Sequence, residues 1–506
     1  MKPIFLPNSS FSTDISTINA VIINPNNDIW RYRDTLKNIN LDFRRFPVSE
    51  ELLRAIKYAF IWYVENLSPD SVCNLYVRSL KFFHFAFIEE RNEIKKVTLK
   101  QIVGFYASLD DKSKYILGCI SGLFKRLHSY RLGVVDDDVI LYFKNRKIKG
   151  NDKGIPVAIW DPEVGPFSDL EYKALSSKLH DAHRNEDISQ EDFLLAWLFL
   201  AFGSRPLQYA ALRVCDFSVT KDNSGEYIFS LKIPRAKQRN SPSRTHFKDR
   251  LLISTIGREF IAHTVAVQAN FSKRIDDPRQ APLFPAINKA LSAPPGYEWH
   301  PTASNICTRC RKIFDTLEVK SERTGSLIHI NPLRFRYSVG TRAAMEGHGE
   351  YVIAELLDHS DTQNVGVYVK AVPQLSEHFT PQFAKELAPI VKAFKGKVIS
   401  STGCTDPSQN IYAIEYNSSI QPTGSCGKHR KCQLFEPLMC YTCRSFRPWQ
   451  TGPHAAVLHR LIDDRDRLLA SPHPDLQMAT VNDHTILAVA EVVRQCEKLT
   501  SVQEEV

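Results

Sequence analysis

Residues 334–369 read RFRYSVGTRAAMEGHGEYVIAELLDHSDTQNVGVYV. The first half reads as a helix with Gly347 near its C-terminal end, where glycine commonly closes a helix. The second half carries His359 and, nine residues on, Tyr368, with a polar, turn-prone stretch between them. A tyrosine in a chain with 10% aromatic residues is ordinarily one more buried ring. The spacing around this one sets it apart, because Arg336 stands 23 residues ahead of His359. An arginine, a histidine and a tyrosine at fixed separations can act together on one anionic group.

A second stretch, FGSRPLQYAALRVCDF at 202–217, supplies another arginine. Gly203 ends an apolar helix, Arg205 sits in the turn, and Pro206 starts the next helix. An arginine at such a junction is held by rigid elements on both sides, as a phosphate clamp requires. Between Leu231 and Arg250 the segment LKIPRAKQRNSPSRTHFKDR carries seven Lys/Arg and one acid. It reads as the far end of a hairpin, either simply solvated or facing phosphates.

Together these stretches resemble the tyrosine recombinase (phage integrase) family. Gly203-x-Arg205 followed by Leu212 and Asp216 is similar to the family's first box, and Arg336, His359 and Tyr368 match the spacings of its second. The resemblance covers about residues 168–395. It implies catalytic roles for Arg205, Lys237, Arg336, His359 and Tyr368, with Tyr368 as nucleophile and Lys237, in PRAKQR, as proton donor to the leaving 5′ oxygen. Arg235 and Lys232 are rivals for the lysine's place. Leu333 stands where the family usually has histidine, three residues before the second arginine. Arg334 is the alternative second arginine, and Gln208 replaces a commonly acidic residue, read here as structural.

The chemistry accounts for these residue types. Attack of a tyrosine hydroxyl on a phosphodiester adds charge to the non-bridging oxygens, and two permanently charged guanidinium forks answer it. One lost donor of this kind costs about 3–4 kcal/mol. Tyrosine, with a pKa near 10, is a weak nucleophile at neutral pH and needs an electrophilic phosphate and a proton acceptor. The resemblance further implies double-stranded DNA as partner, a 3′-phosphotyrosyl link that conserves bond energy without a nucleotide cofactor or catalytic metal, a homotetramer on paired sites, and accessory proteins of the same mobile element. A type IB topoisomerase-like relaxing enzyme shares the chemistry, and a non-catalytic DNA-binding regulator shares the fold.

Working outward, 506 residues exceed one typical domain. The chain has 43% hydrophobic residues, enough for real cores, and a mild basic excess of 65 Lys+Arg over 56 Asp+Glu. Residues 1–45, with NPNND and scattered serines, are expected to be an irregular arm. Residues 46–155 read as a helical DNA core-binding domain; Ser68 and Pro69 start one helix, on which Val72, Leu75, Leu80, Phe83 and Phe87 recur at helical spacing. Residues 165–395 form the catalytic domain, in which GEYIFSLKI and RLLIS are the hairpin's two strands. The expected class is mainly α with small β-hairpins (α+β).

Residues 396–506 form a cysteine-rich extension closed by two helices, HAAVLHRLIDDRDRLL and DHTILAVAEVVRQCEKL. Five of the eleven cysteines fall between Cys404 and Cys443. Cys426, Cys432, Cys440 and Cys443 are expected to hold one structural zinc, with His429 or Cys404 as substitutes, because the segment offers little apolar core of its own. Cys307 and Cys310 also make a CxxC, but on a helical pattern where packing is the simpler account. The N-terminus lacks the apolar core of a signal peptide, and no run suits a membrane span. A cytoplasmic, nucleoid-associated protein is therefore expected.

Overall fold

The computed structural model describes residues 14–151, 154–221, 225–236, 243–345, 350–358, 368, 394, 396–399, 409–413, 421–427, 437–443, 445–470 and 482–504. Lys237, His359 and Cys432, with Gly347, Cys404 and His429, lie outside them. The chain divides into two compact units: Met1–Lys153 with Lys237–His246 and Pro285–Ser304, and Gly154–Ala236 with Phe247–Phe284 and Asn305–Val506. The fold is mainly helical with small antiparallel sheets.

In the first unit, strands β1 (Ile15–Ser16) and β2 (Ile22–Ile23) pair, as do β3 (Ile29–Asp34) and β4 (Lys37–Asp42). The expected irregular arm is thus ordered over its described part. Trp30, Ile39, Leu41 and Phe43 are buried, and the Trp30 and Phe43 rings meet edge to face at 4.7 Å. Alternation in IWRYRD and KNINLD puts these side chains on one face, a pattern that the polar turns on either side obscure. Helices α1 (Glu50–Asn66), α2 (Pro69–Glu90), α3 (Leu99–Ser108), α4 (Tyr115–Ser129) and α5 (Asp137–Asn145) complete the unit. Ser49, Ser68 and Thr98 cap the first three by accepting from Leu52, Ser71 and Gln101 backbone N–H groups. Phe87 is exposed, because the buried stripe of α2 ends at Ala86.

The second unit is built around one apolar helix. After α6 (Ile155–Ala158) and α7 (Asp169–Arg184), α8 (Gln190–Phe202) buries every residue from Phe193 to Phe202. It has no polar face because neighbours surround it. Gly203, at φ 54°, terminates it in the left-handed conformation. The short helix α9 (Pro206–Ala210) follows. Strands β5 (Phe217–Lys221), β6 (Tyr227–Pro234) and β7 (Phe247–Leu252) form an antiparallel sheet in the order β5-β6-β7. The expected hairpin therefore has a third strand, FSVTK, with Val219 opposite Phe229. Helices α10 (Ser254–Phe271), α11 (Ala303–Asp315), α12 (Pro332–Met345) and α13 (Glu350–Leu356) follow.

Near the C-terminus β8 (Asn410–Tyr412), β9 (Pro422–Cys426) and β10 (Phe446–Pro448) form a small sheet. The turn helix α14 (Pro437–Cys440) and the longer α15 (His454–Leu469) and α16 (Asp483–Glu504) complete the chain. Tyr441, Phe446, Val457, Leu461, Val489 and Val492 pack into one buried cluster. The cysteine-rich segment thus has an apolar core, contrary to expectation, because the two closing helices supply the partners that the segment lacks. No described helix is long and apolar enough to cross a membrane.

Candidate active site

The site is organised by the end of α13. The last carbonyls of a helix have no intrahelical partner and carry partial negative charge. Here cations meet the carbonyls of its last two residues and of the two residues that follow. Glu355 O accepts from Lys248 Nζ, and Leu356 O accepts from Arg250 Nη2 at 2.6 Å. Leu357 O accepts from Arg336 Nη2, and Asp358 O accepts from Arg205 Nη1 at 3.3 Å. Lys248 and Arg250 lie on β7, Arg336 on α12, and Arg205 caps α9. One helix terminus thus fixes two arginines that lie far apart in sequence.

Arg336 is buried, and its Nη1 also donates to Gly203 O at 3.4 Å. A Cβ on Gly203 would lie 2.8 Å from Arg336 Cα, so the close approach of α8 to α12 needs glycine there. Gly340 has the same role on the next turn of α12. Its Cβ would fall 2.8 Å from Tyr368 Cε1 and 2.9 Å from Leu357 Cδ1. Tyr368 therefore packs directly on the α12 backbone, only 4% exposed, with the Tyr337 ring 6.4 Å away.

The charges of these side chains act on one another. Burial, and then the neighbouring Arg205, pushes the Arg336 guanidinium down to about 10, while Tyr368 and Asp358 oppose the shift. Burial also lowers Arg205, against Asp358 and Tyr368. Burial raises the Tyr368 phenol, and Arg336 and Arg205 pull it back. Two guanidiniums and one phenol in a common, poorly solvated field can bind and polarise an oxyanion.

Asp358 was not singled out in the sequence, although it lies within its first quoted stretch. It is buried at φ 52°, the left-handed region that favours glycine. Its Oδ2 accepts from Ala236 N–H at 3.1 Å and from Gln208 Nε2 at 3.2 Å, and Oδ1 accepts from Arg235 Nε. Arg205 Nη1 stands 3.7 Å from Oδ2. Gln208 Nε2 also donates to Pro234 O at 2.8 Å, and its Oε1 accepts from Arg205 N–H at 3.0 Å. Gln208 is structural in this sense: it ties α9 to the end of β6.

Of the five expected catalytic residues, Arg205, Arg336 and Tyr368 come together, and Lys237 and His359 lie outside the described residues. Arg334 takes no part. It is fully buried, donates to Gly165 O, His329 O and Pro162 O at 2.9, 2.7 and 2.8 Å, pairs with Glu171 at 3.4 Å, and lies 4.2 Å over the Phe167 ring. Leu333 is 45% exposed at the start of α12. Lys232 points to solvent from β6, whereas Arg235 at its end turns onto Asp358.

No protein-family profile matches the chain, and no curated protein does. Among solved structures it is similar to the XerH site-specific recombinase bound to difH substrate in a pre-cleavage complex, at 14% identity over 67% of this chain and 84% of that one, with a TM-score of 0.38. It is also similar to a lambda integrase dimer bound to a COC′ core site, at 12% identity over 72% and 96% of the two chains, TM-score 0.38. A lambda integrase tetramer bound to a Holliday junction gives 12% identity, 68% and 94% coverage and a TM-score of 0.35. Identities and scores this low do not fix a family.

Proposed function

We propose that this chain is a tyrosine recombinase that cuts and rejoins double-stranded DNA through a 3′-phosphotyrosyl intermediate. The observation that carries the reading is the meeting of Arg205, Arg336 and Tyr368, from three segments, at the carbonyl end of α13. Tyr368 Oη attacks the phosphorus and passes its proton to water, the phosphorus–5′-oxygen bond breaks, and the 5′ oxygen leaves protonated. Arg205 and Arg336 hold the non-bridging oxygens as their charge grows. Lys237 donates the proton to the leaving oxygen, and His359 hydrogen-bonds the phosphate. The raised phenol stays neutral at rest, so nucleophilicity develops only with the phosphate in place.

The reaction conserves the bond energy in the tyrosyl link, and rejoining runs the same steps backwards. Used on two sites at once, the chemistry exchanges strands, which calls for a tetramer on DNA and suits integration or excision of a mobile element. A supercoiled plasmid with two copies of the target distinguishes this from single-duplex relaxation. Recombinant products that require both copies are expected; relaxation of a one-copy plasmid at equal rate would instead indicate a topoisomerase-like enzyme.

For the C-terminal extension we propose one structural zinc held by Cys426, Cys432, Cys440 and Cys443. Cys440 and Cys443 share a turn in which Cys443 N–H donates to Cys440 O at 2.8 Å and Ser445 N–H donates to Cys443 Sγ at 3.5 Å. The Ser445 N–H would stabilise a thiolate at Cys443. Cys426 ends β9 opposite Phe446. Among the described residues no three such side chains gather as a metal site, so the proposal depends on Cys432 and its neighbours. Elemental analysis should give close to one zinc per chain, reduced by Cys440→Ser; zinc-free protein with an equally protease-resistant tail would dismiss it.

A further inference from the structure

We propose that Asp358 is a positioning residue whose carboxylate sets Arg205 and the base of the basic hairpin for phosphate. The inference rests on the strand-cleavage reading above and assigns a role that this reading does not need.

The geometry carries it. A non-glycine residue at φ 52° is uncommon, and persists where its surroundings over-determine it. Asp358 is buried and held by contacts from two other elements: Arg205 and Gln208 at α9, and Arg235 and Ala236 at the end of β6. Both of its functional groups are used. The carbonyl and the carboxylate both face Arg205 Nη1, at 3.3 and 3.7 Å, so the guanidinium is restrained from two directions. The carboxylate also fixes Arg235 and the Ala236 N–H, the last two residues before Lys237.

A carboxylate beside a phosphate site carries a counter-effect. Its charge repels DNA, so Asp358 orients the arginines at some expense of affinity. Removing it should therefore slow cleavage without weakening binding. That split separates positioning from a merely structural role, which would damage both together.

The test uses the full-length protein with a nicked duplex carrying the target site, measuring single-turnover cleavage at saturating protein and Kd by titration. Asp358→Gly suits the left-handed backbone and removes only the carboxylate. It should cleave about 100-fold more slowly, within the range for losing one oriented donor, with Kd unchanged or tighter. Asp358→Asn keeps one acceptor oxygen and should recover about 10-fold of that loss, about 1.4 kcal/mol. Wild-type cleavage rates in both variants, or rate and affinity falling in parallel, would overturn the proposal. Absence of any adduct with wild-type protein would instead sink the strand-cleavage reading on which it rests.

Discussion

Replacing Arg334 with alanine would leave the Gly165, His329 and Pro162 carbonyls without this donor and the fully buried Glu171 carboxylate with Arg323 as its remaining arginine. A buried acceptor left unsatisfied costs about 1–3 kcal/mol, so denaturant unfolding of Arg334→Ala should show a clearly lower midpoint. In Arg336→Ala burial already disfavours the cation that is removed, so the midpoint should fall less while cleavage is lost. A stable Arg334→Ala variant that no longer cleaves, beside an active Arg336→Ala, would place the second arginine at 334. The sequence favours Arg336 by its spacing to His359, but what holds Arg334 in the fold, Glu171 and Gly165, lies more than 160 residues upstream. Arg205 and Arg336 each sit in a short local motif, and with Tyr368 they are the expected residues that come together. Asp358 was not legible, since nothing nearby in sequence announces which groups its carboxylate will gather.

The elements were legible wherever a local signal marks them. Ser68–Pro69 starts α2, Gly203 stops α8, and alternating residues make β6 and β7. β5 was missed because none of its five residues is buried, and the β3–β4 hairpin because it buries its face against helices that come later in the chain. The C-terminal core was missed for the same reason, and its chemistry makes a prediction. His454 Nε2 donates to Trp449 O at 2.8 Å, and Tyr441 Oη lies 2.7 Å from Nδ1, where it donates when the ring is neutral. Burial lowers the His454 pKa below its unfolded value of about 6.5. The folded state then binds fewer protons, so this stability is present above about pH 6.5 and is lost as pH falls through that value toward the folded pKa. Hydrogen-exchange protection factors for residues 454–469, corrected for intrinsic rates, should fall between pH 7 and pH 5. Unchanged protection would mean that His454 is not held neutral.

On the scale of the whole molecule, composition indicated more than one unit, and the chain divides near residue 153. It did not indicate that Pro285–Ser304 belongs with the first unit. That segment joins through long-range bonds such as Ala303 N–H to Leu36 O at 3.0 Å, which no local pattern encodes. The account makes one demand of the entire protein: that it becomes covalently joined to DNA through a single side chain. A nicked suicide substrate, from which the cleaved fragment diffuses away, traps that state for a denaturing gel. The account predicts a protein–DNA adduct with wild-type protein, mapped to Tyr368, and none with Tyr368→Phe, whose DNA affinity stays within a few-fold. An adduct that survives in Tyr368→Phe would contradict it.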